Sequence, residues 1–97
     1  MNMKYGIYVT KQVFNIYEDG SEKLIKTRVG WLSGQEHNMK TAKYRLEMIK
    51  ETLDDECYDM EVINSRTIKG VRVSSYNGEK FAPHEVKEVV ILHIEKK

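Results

Sequence analysis

The chain has 97 residues, 40% hydrophobic and 32% charged, with a formal net charge of +1. Those values fit one small soluble domain spanning residues 1–97 and exclude a disordered polymer or a second hydrophobic core. The longest apolar run, Val89-Val90-Ile91-Leu92, falls far short of the roughly 20 residues that a membrane helix needs, so no membrane partner is expected. The single cysteine, Cys57, cannot close an internal disulfide, and the segment Met1 to Gly6 has no signal-type apolar stretch. A reducing cytoplasm is the expected compartment. Twelve Lys stand against four Arg and two Ala, a bias that points to an AT-rich genome such as a low-GC bacterium or one of its phages.

Lys4 to Tyr17 is rich in β-branched and aromatic residues and reads as a strand. Its odd positions are apolar through Val9, after which Phe14 and Ile16 shift the parity; a bulge near Lys11-Gln12 would do this. The polar step Asp19-Gly20 then predicts a turn. Lys23 to Leu32 alternates, with Ile25, Thr27, Val29 and Trp31 on one face and Lys26 and Arg28 on the other. The two segments form a hairpin.

Ser33 and Glu36 have the spacing of a capping box, and Asn38 is a rival N-cap for the same helix. The helix itself runs to about Asp55 without glycine or proline. Met39, Ala42, Leu46, Ile49 and Leu53 form one apolar stripe fit to dock on a sheet. Tyr44 and Met48 lie roughly opposite, four residues apart, on a face that water should otherwise cover. Charge along this helix runs against its macrodipole. Four bases and one acid fall between Lys40 and Lys50, while six acids and no base fall between Glu51 and Glu61. Such a local conflict marks a place to look for function, although exposed charges are also readily screened.

Cys57 to Ile63 alternates again, with Tyr58, Met60 and Val62 against Asp59 and Glu61. Asn64-Ser65-Arg66 is a turn, and Thr67 to Tyr76 a fourth strand with Val71 and Val73 inward and Arg72 outward. Gly70 weakens its middle or marks a bulge. Asn77-Gly78 is a strong hairpin signal, and Pro83 should take its neighbours out of the sheet or along its edge. Val86 to Glu95 is the last strand. Its middle is apolar on both faces, which suits a central place with cover on each side.

The order is therefore ββαβββ: an α+β domain with a mostly antiparallel sheet of about five strands and one helix packed on one face. The expected core is Leu46, Ile49 and Leu53 of the helix, with Ile25, Val29, Trp31, Met60, Val62, Val90 and Leu92 of the sheet. One helix covers only part of such a sheet. The remainder must curve, lie under loops or meet a partner.

No catalytic constellation is present. Acids surround Cys57, the opposite of the electropositive setting of a reactive thiol, so the residue reads as small and partly buried. His37, His84 and His93 lack the close spacing of zinc ligands, and the acids from Asp54 to Asp59 lack the alternation and glycine of a calcium loop. Glycines occur singly, so no phosphate cradle can be built. We expect no enzyme activity, cofactor, metal or small-molecule substrate.

The expected function is protein binding, through an outer helix face made of Lys40, Tyr44, Glu47, Met48 and Glu51. An exposed aromatic and methionine ringed by charge has the composition of an interface anchor with a polar rim. The partner would be another protein or a second copy of the chain, as in a homodimer. A phage- or plasmid-encoded inhibitor or adaptor of a host protein fits the size and composition. The alternative is nucleic acid, bound by Lys23, Lys26, Arg28, Lys40, Lys43, Arg45, Arg66, Lys69 and Arg72 with Tyr8, Tyr44 and Tyr76 as stacking platforms. The near-neutral charge and the acidic block count against it.

Overall fold

Twelve-residue strands set the frame of this molecule. The structure, a computed structural model, describes residues 4–75 and 85–97. Its elements are β1 (Tyr5–Ile16), β2 (Glu22–Trp31), α1 (Met39–Asp55), β3 (Asp59–Asn64), β4 (Thr67–Ser75) and β5 (Glu85–Lys96). All pairings are antiparallel, and the order across the sheet is β2-β1-β5-β4-β3. The fold is α+β with the order ββαβββ. The Asn77-Gly78 turn, the Pro83 departure, His84 and Tyr76 lie outside the described residues.

Helix α1 crosses one face and leaves the other open. Ile7, Ala42, Leu46, Tyr58, Ile68, Val90, Leu92 and Ile94 form the buried core, with Val9, Leu32, Ile49, Leu53 and Met60 packed around it. The register explains the selection. Ile7 pairs with Ile94, Val9 with Leu92, and Leu92 with Ile68, so these side chains share the helix face. β5 is central, as its two apolar faces predicted, yet only one of them meets the helix.

Asn38 is the N-cap: its Oδ1 accepts from Thr41 N at 2.8 Å. Glu36 forms no capping box, because its backbone bridges to Tyr5 at the start of β1. The other end closes in a Schellman arrangement, with Cys57 N donating to Asp54 O at 3.1 Å and Tyr58 N to Leu53 O at 3.0 Å. Cys57 supplies the left-handed residue, with φ +70°. It is exposed rather than partly buried.

Several expectations fail for two reasons, the face that α1 covers and the narrow reach of a single helix. Ile25, Val29, Trp31 and Val62 are exposed, not core. Val29 and Trp31 lie on the face away from α1, Ile25 is an extra residue in β2, and Val62 is on the helix face but stays exposed on the edge strand β3. On β4, Val71 and Val73 face the open side and Arg72 the helix side, the reverse of the sequence reading. The parity change in β1 is not a bulge either, since β1 pairs with β5 without a shift over all twelve residues. Apolar residues simply pass from the helix face (Ile7, Val9) to the open face (Phe14, Ile16). The irregularity lies in β2, where Ile25 is the extra residue between Leu24 and Lys26.

Candidate functional site

The five residues expected to form a contact surface, Lys40, Tyr44, Glu47, Met48 and Glu51, are all exposed on α1. Tyr44 is 67% and Met48 47% accessible. Around them the only ion pair among the described residues is local, Lys50 to Glu47 at 3.8 Å. Beside this face, Lys50, Glu51, Asp54 and Met60 line a shallow depression of about 220 Å³.

A larger apolar surface lies on the opposite side, where the sequence reading placed a core. Cross-strand register puts Trp31 beside Tyr8, Tyr8 beside His93, and Val29, Thr10, Ile91 and Lys69 in the next row. Val89 and Val71 follow, then Leu24, Phe14, Lys87 and Val73. Val29 is 61%, Val73 48% and Trp31 42% accessible. The Trp31 ring is fixed by its neighbours: it meets Tyr8 edge-on at 5.3 Å, and Lys97 Nζ sits 5.1 Å from its centroid. Gly6 leaves the space for it, since a Cβ there would stand 2.9 Å from Trp31 Cε3. His93 packs against Tyr8 at 5.5 Å and pairs with Glu95 at 3.0 Å when protonated. The charge on this face is mixed: Asp59, Glu61, Glu85 and Glu95 share it with Lys69, Lys87 and Lys97.

The helix side of the sheet changes character beyond the end of α1. Lys11 stands directly opposite Arg28, and Val13 opposite Lys26. These four line a cleft of about 80 Å³. Next to it, Glu88 Oε2 accepts from Tyr58 Oη at 2.5 Å and from Arg72 Nη2 at 2.7 Å, with Lys11 Nζ at 3.7 Å. Arg72 also lies over the Tyr58 ring at 4.3 Å and donates from Nη1 to the Glu56 carbonyl at 3.0 Å. This answers the reversed charge pattern of the helix, because the cation at its C-terminal end arrives from β4. Burial pushes the Tyr58 phenol up to about 12, helped by its bond to Glu88. At Glu88 burial pulls upward, but the bonds from Tyr58 and Arg72 and the charge of Lys11 outweigh it, and the carboxyl lies below its usual range.

Among the bases proposed for nucleic acid, Lys69 lies on the open face, Arg72 is held by Glu88 and Glu56, and Arg45 donates to the Ser33 carbonyl. Lys23, Lys26 and Arg28 stay together along β2, joined by Lys11. Among the described residues no group of three His, Cys, Asp or Glu gathers to hold a metal ion, and no helix is long and apolar enough to cross a membrane. The open face was legible only as a shortage of cover. Its signals were the parity change in β1 and a five-stranded sheet served by one helix. Comparison with protein-family models, curated proteins and solved structures finds no match to this chain.

Proposed function

We propose that this chain is a non-enzymatic domain that binds another protein through the open face of its sheet. One observation carries the reading: an aromatic and aliphatic field from Leu24 and Phe14 to Tyr8 and Trp31 is left uncovered by the chain's own helix. Exposed apolar patches of that extent, rimmed by charge, are the usual mark of an interaction site. Asp59, Glu61, Glu85 and Glu95 outnumber Lys69, Lys87 and Lys97 there, so a partner that brings bases to these acids complements the face better than a second copy.

The exposure of Tyr44 and Met48 supports a second contact on α1, formed by Lys40, Tyr44, Glu47, Met48 and Glu51. Affinity capture from cells that make the chain separates the two surfaces. A Val29→Glu, Val73→Glu variant should lose the protein that wild type retains, while Tyr44→Ala, Met48→Ala should keep it. The opposite pattern would assign the primary contact to the helix and overturn the proposal.

A further inference from the structure

We infer that β2 is a strand-addition edge that receives an extended segment of another protein in which acidic and apolar residues alternate. This rests on the docking reading above and names the chemistry of the partner. The first support is the backbone. Leu32 N donates to Ile7 O at 2.9 Å, and the antiparallel register runs from there through Trp31–Tyr8 and Gly30–Val9. Backbone groups alternate sides along such a ladder, so the amides and carbonyls of Thr27, Val29 and Trp31 point to the free edge. β2 spans ten residues without proline, against six for the opposite edge, β3. The stretch from Lys26 to Trp31 lies beyond the bulge at Ile25 and pairs regularly, which leaves its outer edge a template for pairing.

Charge supplies the second support. Lys11 and Arg28 face each other across the ladder, with Lys26 beside them, and like charges directly opposite destabilise a sheet. Of these three bases Glu88 meets Lys11 alone; Lys26 and Arg28 have no carboxylate partner among the described residues. An added strand would set every second side chain beside this basic row and the intervening ones beside Val29 and Trp31. Acids on one side and apolar residues on the other complete both surfaces.

The test is a titration with a synthetic peptide of alternating Val and Glu, about as long as β2, followed by Trp31 emission and amide shifts. Saturable binding should weaken at least tenfold in a Lys26→Glu, Arg28→Glu variant, and a Val–Lys peptide should not bind. Thr27→Pro should weaken binding equally while keeping the wild-type circular dichroism, because its lost N–H faces away from β1. A Val–Glu peptide N-methylated at alternate residues probes the same bonds with the protein unchanged, and it too should fail. Equal binding of both peptides, or full binding to Thr27→Pro, would overturn the inference. So would head-to-tail oligomers of the chain, whose own β3 alternates Asp59, Met60, Glu61 and Val62, or displacement of the peptide by a short single-stranded DNA. If the peptide fails while open-face capture persists, strand addition falls and the docking reading stands; if both fail, both fall.

Discussion

Gly6 and Trp31 form a matched pair on the open face: the indole occupies the space that a side chain at Gly6 would need, 2.9 Å from a Cβ built there. Gly6→Ala should therefore displace the ring. Trp31 is the only tryptophan, so a red-shifted emission reports the change directly. Because the ring is 42% accessible and packed on one side only, stability should fall by about 1 kcal/mol, the low end of overpacking costs. An unchanged spectrum would mean the indole is not seated on β1.

Gly70 makes room of a different kind, on the buried side. A Cβ there would meet Met60 Sδ at 2.6 Å and Tyr58 Cδ1 at 3.3 Å. Gly70→Ala should cost about 1–3 kcal/mol in chemical denaturation. Adding Met60→Ala should recover part of that loss, and a purely additive double variant would show that the two positions do not compete for space.

Leu46 is buried on the docked stripe of α1, so Leu46→Ala should cost about 2–5 kcal/mol, a large share of the stability of so small a domain. A denaturation shift below about 1 kcal/mol would contradict the placement of the helix.

Cys57 holds a left-handed conformation at the end of α1, φ +70°. A side chain pays of the order of 1 kcal/mol there, and glycine does not. Cys57→Gly should raise stability by about that amount. A loss instead would show that the thiol makes a contact worth more than the strain.

The Tyr58, Arg72 and Glu88 cluster makes stability depend on pH at both extremes. The Glu88 carboxyl is held below its usual range, so its contribution is present above the ordinary carboxylate pKa and lost as pH falls through the folded value. The Tyr58 phenol is raised to about 12, so its contribution is complete below about 10 and lost as pH climbs from there through the folded value. Glu88→Gln should flatten the acid limb of a stability-against-pH curve relative to wild type. An identical acid limb would show that the cluster is not the source.

The helix phase, the element order and the central place of β5 were legible because each rests on a local period: three to four for α1, two for the strands, two-sided apolarity for β5. The alternation of β2 was equally visible. What periodicity does not reveal is which of two faces a helix will choose. Val29 and Trp31 resemble core residues and Arg28 an outer one, yet α1 lies on the Arg28 side and stops before reaching it. The same blindness reversed Arg72 and Val73. The links of Arg72 to Glu56 and Glu88 span 16 residues each, and no local pattern announces a helix cap delivered from a distant strand.

Site-specific photo-crosslinking inside cells that make the chain tests the central claim most directly, with a crosslinking residue at Val73 on the open face or at Tyr44 on the helix. The account predicts a discrete adduct from Val73 whose second component is a different protein. An adduct from Tyr44 alone, or a Val73 adduct made only of two copies of this chain, would contradict it.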